Sequence, residues 1–190
     1  RRSEAGDALV KAGAKLVKDV RKKPPSLLDA VRADLPFLCS YILKSAPAAG
    51  PNSRKICLAE TDESGRTAML LAAASGCLSV IQRLLEGRAD PETAASPCTR
   101  GALGTTVSAG PFVGRRPIHT AADSGHQEML AFLVEQKAAL DAADSGGRTA
   151  LFYAAKSGHA SLCRWLLRSG LAVDTEDDTE KTPLHVAAAN

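Results

Sequence analysis

Four histidines, His119, His126, His159 and His185, are the residues of this chain whose chemistry could serve catalysis or metal binding. Imidazoles titrate near neutral pH and are common zinc ligands, so a converging set could move protons or hold an ion. Their spacing argues against convergence. His126 and His159 stand one period apart in a pattern that recurs about every 33 residues, and His119 and His185 stand two periods apart. They are therefore equivalent places in a repeat, spread along a stack of helix layers about 10 Å apart, where they hold turns by hydrogen bonds. No H-E-x-x-H, G-x-S-x-G or G-x-G-x-x-G spacing occurs, and helical spacing sets no carboxylate pair against an apolar wall. The sequence thus offers no catalytic residue, no metal site and no cofactor site.

A second set of residues does line up. Arg66, Arg115, Arg148 and Lys181 occupy the same place in four successive copies of one pattern. Guanidinium forks onto carboxylates and phosphates, so such a column points to an acidic or phosphorylated partner segment. A basic residue here also serves solubility and local pairing, and both readings stay open. The run from Asp174 to Glu180, with five acids in seven residues, would narrow any basic groove to its central repeats.

The pattern itself is clearest in Gly147-Arg148-Thr149-Ala150-Leu151-Phe152-Tyr153-Ala154-Ala155-Lys156-Ser157-Gly158-His159. It returns one period later as Lys181-Thr182-Pro183-Leu184-His185-Val186-Ala187-Ala188, and one period earlier with Arg116 in the place of Thr149. A further copy around Thr67 precedes Arg116 by one period plus a 16-residue insertion. A period in the low thirties with a T-P-L-H-x-A-A core resembles the ankyrin repeat, and the resemblance covers nearly the whole chain. It implies an all-α, ankyrin-repeat α-solenoid of stacked helix-turn-helix units joined by hairpin loops.

Bulk composition agrees with thin, closely stacked helices. The 190 residues are 45% hydrophobic but only 4% aromatic, so alanine, leucine and valine must do the packing. The net charge of +3 is uneven, since residues 1–25 carry eight Arg/Lys against three acids. The repeats are left with too little positive field for nucleic acid. No run is long and apolar enough to insert in a membrane. Cys39, Cys57, Cys77, Cys98 and Cys163 are odd in number and irregularly spaced, which fits neither a disulfide framework nor paired zinc ligands. They suit an intracellular, reducing compartment, the cytoplasm before the nucleus.

In chain order, residues 1–23 read as the remnant of a preceding repeat or a basic amino-terminal helix. Residues 24–61 read as a degenerate repeat that lacks its turn glycine and has a long loop at Pro47 to Ser53. In it Ser26 caps a helix, and a second helix from about Leu35 to Lys44 carries Phe37, Leu38, Tyr41 and Ile42. Residues 62–114 form a repeat with a 16-residue insertion within Thr93 to Gly114, 115–143 and 144–175 are regular repeats, and 176–190 is a truncated one. The missing initiator Met and the abrupt final half-repeat read as ends cut from a longer protein. Thr149 and Thr182 are placed to cap helices through their hydroxyls, and Pro117 and Pro183 suit a first helical turn. Leu151, Leu184 and the paired alanines face inward. The second helices bury Met129, Leu130, Leu133 and Val134, then Leu162, Cys163, Leu166 and Leu167, with Phe132 and Trp165 packed beside them. Glu180 replaces a hairpin glycine, which loosens or shifts the last hairpin.

The resemblance implies a protein-binding surface at the hairpin tips and exposed first-helix flanks, which together line a concave face. Carried over residue by residue, those places are Glu63, Ser64, Arg66, Ala74 and Ser75, then Arg115, Asp123 and Ser124. The later repeats add Ser145, Gly146, Arg148, Lys156 and Ser157, then Glu176, Asp178, Thr179 and Lys181. Function is then non-catalytic protein-protein interaction. The alternative is a regulatory or targeting array of a larger enzyme or channel whose functional part lies outside the segment. Neither the partner's identity nor the oligomeric state is encoded in these motifs.

Overall fold

A computed structural model describes residues 26–45, 58, 60–95 and 113–189. The expectations for residues 1–23, for the loop at Pro47 to Ser53 and for the interior of the insertion fall outside the described residues. Nine helices run through the described chain: α1 (Leu27–Arg32), α2 (Pro36–Ser45), α3 (Ala68–Ser75), α4 (Leu78–Glu86), α5 (Pro117–Asp123), α6 (Gln127–Glu135), α7 (Ala150–Lys156), α8 (Ala160–Arg168) and α9 (Pro183–Ala188). A single bridge, Thr61 to Thr67, is the only β pairing among these residues.

The helices start and stop where local chemistry requires. Ser26 accepts a hydrogen bond from the Asp29 amide at 3.1 Å while the Asp29 carboxylate accepts from the Ser26 amide, a reciprocal cap. Pro117 and Pro183 take the first helical position, where a missing N–H costs nothing. The first helices α3, α5 and α7 end in a left-handed glycine, Gly76, Gly125 and Gly158. In the first pair Asp34, at φ 50°, does this without a glycine, so the degenerate repeat keeps the turn geometry.

Alanine-rich first helices can approach closely, and they stack as one layer in the order α1, α3, α5, α7, α9. Each of α1, α3, α5 and α7 also packs on its own second helix, so every unit is a helical hairpin laid on its neighbours. One core runs through the stack, from Leu27 and Val31 through Leu70, Ile81 and Leu84 to Ile118, Leu130, Tyr153 and Leu166. Full burial of one such side chain is worth about 1.5–3 kcal/mol, well above any surface contact described below.

Several expected core residues are not buried. Phe37 and Tyr41 of α2 are 82% and 62% exposed, while Cys39 and Leu43 are buried. The α2 stripe is Leu38, Cys39, Ile42 and Leu43, one residue on from the expected one. Val134 and Leu167 are also exposed although Met129, Leu130, Leu133, Leu162 and Leu166 are buried. At roughly 100° per residue the i and i+5 residues are the two edges of an i, i+1, i+4, i+5 stripe, and these helices bury the i edge, Met129 or Leu162, and leave the i+5 edge uncovered. Leu151 faces inward as expected, but Leu184 is 63% exposed because α9 packs on α7 with no second helix behind it among the described residues. Phe132 and Trp165 are half-buried and lie against the core.

Two kinds of histidine link hold the stack. The Arg116 amide donates to His119 Nδ1 at 3.0 Å, so the ring proton is on Nε2, which donates to the Ala142 carbonyl at 2.7 Å. The Thr182 amide donates to His185 Nδ1 at 3.1 Å in the same way. His126 and His159 instead cross between units, their Nε2 atoms 3.1 Å from the carbonyls of Ala74 and Asp123. Their rings press on the preceding turn glycines: a Cβ added at Gly76 or Gly125 would meet the ring at 2.8 or 2.7 Å. The turn-holding role expected of all four histidines thus holds for His119 and His185, while His126 and His159 join one repeat to the next.

Candidate protein-binding surface

Three of the hairpin tips are each built on one aspartate. Asp62 Oδ1 accepts from the amides of Ser64 and Arg66 at 3.0 and 2.8 Å. Asp144 Oδ1 accepts from those of Gly146 and Arg148 at 2.8 and 2.9 Å, and Asp177 Oδ1 from those of Thr179 and Lys181 at 2.9 and 3.0 Å. Each aspartate's own amide donates to the carbonyl of the cation four residues on: Arg66, Arg148 and Lys181. The cation column therefore stands on tips whose backbone is closed by three hydrogen bonds.

Electrostatics follow from that geometry. Burial pushes the Asp62 carboxyl upward, but the Arg66 amide and guanidinium outweigh it and hold it below the ordinary range. The same balance lowers Asp144, where the opposing hydrogen bonds come from the Tyr153 hydroxyl and the Arg148 and Gly146 amides. Asp177 is held down at about 2, chiefly by the Thr179 hydroxyl that donates to it at 2.7 Å.

The insertion alters one tip. The Ala95 amide donates to the Arg115 carbonyl at 2.8 Å, the bond that the tip aspartates make elsewhere, and the Gly114 amide donates back to Ala95 at 3.1 Å. Ala95 is thus the aspartate position, displaced far upstream of its cation, and the insertion springs from a closed base. With alanine there, Arg115 has no tip carboxylate. It is only 6% exposed, with its Nη1 3.0 Å from Asp123 Oδ2 and its guanidinium carbon 4.2 Å from the centre of the Tyr153 ring. Arg115 therefore leaves the surface column, as a correction to the sequence reading.

The remaining candidates divide by role. Arg66 pairs with Asp62 at 2.9 Å, and Arg148 reaches Asp177 with its Nε at 3.5 Å. Asp123 joins Arg115 to Ser157, whose hydroxyl donates to its Oδ1 at 2.7 Å. Ser145 donates to the Val113 carbonyl at 2.7 Å, and the Asp178 amide donates to Gly146; these contacts tie tip to tip. Ser124, Lys156, Glu176 and Lys181 are exposed. A cleft of about 260 Å³ brings four candidates together, lined by Arg148, Lys156, Thr179 and Lys181 with Phe152, Tyr153, Asp177 and Val186.

Sequence reasoning missed Tyr153, whose hydroxyl donates to Asp144 while its ring carries Arg115. Burial first, and then that hydrogen bond, push its own pKa to about 12, so it remains a phenol. The tip aspartates were visible as acids four residues before each cation, a signal hidden at Arg115 by the insertion. Among the described residues no group of three or more His, Cys, Asp or Glu could hold a metal ion. None of their helices is long and apolar enough to cross a membrane.

Comparison with known families decides what this stack is. The family model for ankyrin repeats (3 copies) matches residues 7–144 and 103–177, most of the chain. The chain belongs to the ankyrin-repeat family. No curated protein matches it. The all-α solenoid implied by the sequence is the fold of this ankyrin array. Ankyrin repeats are generally protein-protein interaction modules, a non-catalytic fold.

Proposed function

We propose that this array binds an acidic segment of a partner protein on a concave face made of its tips and the exposed flanks of α3, α5, α7 and α9. The observation that carries the reading is the cleft at α7, where Arg148, Lys156 and Lys181 meet above an apolar floor of Phe152, Tyr153 and Val186. Low-dielectric walls strengthen the field of nearby cations and favour an incoming carboxylate. Aspartate-locked tips reduce the ordering cost of binding, so more of the contact energy becomes affinity. Ser124, Ser145, Ser157, Asp123, Glu176 and Asp178 flank the cations and would set register rather than strength. Free thiols at Cys39, Cys77 and Cys163 suit a reducing, cytoplasmic location.

Charge reversal tests this without disturbing the core. The Arg148→Glu/Lys181→Glu chain is expected to lose the proteins that the unaltered chain captures, and capture by the unaltered chain is expected to weaken with added salt. Unchanged recovery by the double variant would remove the basic cleft from the account. Arg115 is left alone, because reversing a cation buried against Tyr153 would test folding instead.

A further inference from the structure

We infer that the partner's acidic segment continues as a short amphipathic helix, whose aliphatic side chains four residues apart seat in the groove between α8 and α9. This rests on the acidic-segment reading above and names the apolar part that the same segment brings.

The groove holds about 680 Å³, more than the basic cleft, and its walls include Leu151, Cys163, Leu167, Val173, Leu184 and Ala187. Lys156 lines both the groove and the cleft, so the two hollows meet at one residue. The groove has a cation of its own, the exposed Arg164, whose Nε donates to the Ala160 carbonyl at 3.4 Å. Among the described residues no acid lines it. An occupant with apolar and acidic side chains therefore complements the groove as well as the cleft.

The stack itself shows what shape fits. One period earlier the places of Leu151, Cys163 and Leu184 are held by Ile118, Leu130 and Leu151, all buried, and there α8 packs on α7. Leu151 is 3% exposed under that cover, whereas Leu184 is 63% exposed. The covering helix buries Leu162 and Leu166, four residues apart. Its N-cap, His159, sets its ring on Gly125 and its Nε2 3.1 Å from the Asp123 carbonyl. The places of Gly125 and Asp123 recur at Gly158 and Lys156, and a Cβ added at Gly158 would meet nothing within 4 Å. A helix seated like α8 thus begins beside Lys156, where cleft and groove join. Acids just before that helix or in its first turn lie toward the cleft and favour the helix N-terminus. The aliphatic pair follows into the groove, as in other complexes that lay an amphipathic helix in an apolar channel.

The 190-residue chain would be titrated by fluorescence anisotropy with a stapled helical peptide. The peptide carries glutamates before and within its first turn, then two leucines four residues apart. Serine in place of both leucines is expected to weaken binding by about tenfold or more, the worth of burying about one aliphatic side chain. Leu184→Gln and Val173→Gln chains should lose the preference for leucine and still bind the glutamates; both side chains are exposed, so neither change disturbs the core. Equal affinity for the leucine and serine peptides overturns the helix in the groove and leaves the acidic-segment reading standing. A leucine peptide with glutamine for every glutamate, bound as tightly as the first, overturns the acidic-segment reading and the inference with it. Binding of none of the peptides overturns both. Dimers in sedimentation that Leu184→Gln dissociates would assign the groove to a second copy of this chain and overturn the partner helix.

Discussion

Thr67 and Thr149 hold the same helix-start position with the same extended backbone, yet only Thr67 uses its hydroxyl, which accepts from the Leu70 amide at 3.4 Å. The Thr149 hydroxyl is buried without a hydrogen-bond partner, contrary to the capping role its position implied, and that of Thr182 sits 3.0 Å from His185 Nδ1. A buried, unpaired hydroxyl carries a desolvation cost that its removal relieves. Thr149→Val is expected to leave stability within about 0.5 kcal/mol or raise it, while Thr67→Val loses about 1 kcal/mol; urea denaturation of both variants checks the pair. Glu180 gives a second residue-scale result. The last tip is neither shifted nor loose, because Glu180 adopts φ 60° and the Asp177 amide still closes on the Lys181 carbonyl at 2.9 Å. An L-residue there costs on the order of 1 kcal/mol, so Glu180→Gly should raise stability by about that amount in the same measurement. The replaced glycine was legible in the sequence. Whether the chain would move or accept the strain depended on hydrogen bonds that only folding brings together.

At the scale of elements, the insertion is the clearest case. Sequence counting placed 16 extra residues between two repeats, and the structure puts them at the tip between Ala95 and Arg115, whose mutual hydrogen bond closes the base. Loop-closure entropy falls by about 0.6 kcal/mol for each halving of loop length. Joining Ala95 to Gly114 through two residues, as in a regular tip, is therefore expected to raise stability by about 1–2 kcal/mol and to keep unfolding cooperative; loss of the cooperative thermal transition would contradict the closed base. The α2 helix shows the opposite limit of sequence reading. Its existence and rough length were legible from its apolar content, but Phe37 and Tyr41 looked as suitable for a core as Cys39 and Leu43. Period alone cannot choose between stripes one residue apart, and contact with α4 and α1 selected the second.

For the whole molecule, stability should depend on pH in two stages. Burial first of all holds the His119 pKa below its ordinary value, and the hydrogen bond to Ala142 only partly offsets it. A histidine lowered on folding binds its proton more readily in the unfolded chain. Its contribution is complete above about pH 6.5 and is lost as pH falls below that. Asp62, Asp144 and Asp177 are lowered as acids, so their contribution is present above about pH 4 and disappears toward the Asp177 value of about 2. Thermal midpoints between pH 7 and pH 3 are expected to descend in both stages. In His119→Gln the drop between pH 7 and pH 5 should shrink while the lower stage remains, and an unchanged upper stage would show that His119 is not its source. Because each unit is stabilised by its neighbours, weakening the hairpin of α5 and α6 destabilises the repeats on both sides.

The sequence by itself determined the repeat, the fold it builds, the turn residues and the column of cations, because these depend on neighbours within one period. Only the tertiary structure decided which cations face outward. Arg66, Arg148 and Lys181 stand on tip aspartates, but the insertion removed that acid from Arg115, and the ring of Tyr153 offered its guanidinium a buried seat instead. A side chain's direction is set by the best partner within reach, and here that partner belongs to the next repeat, remote in sequence and adjacent only once the layers stack.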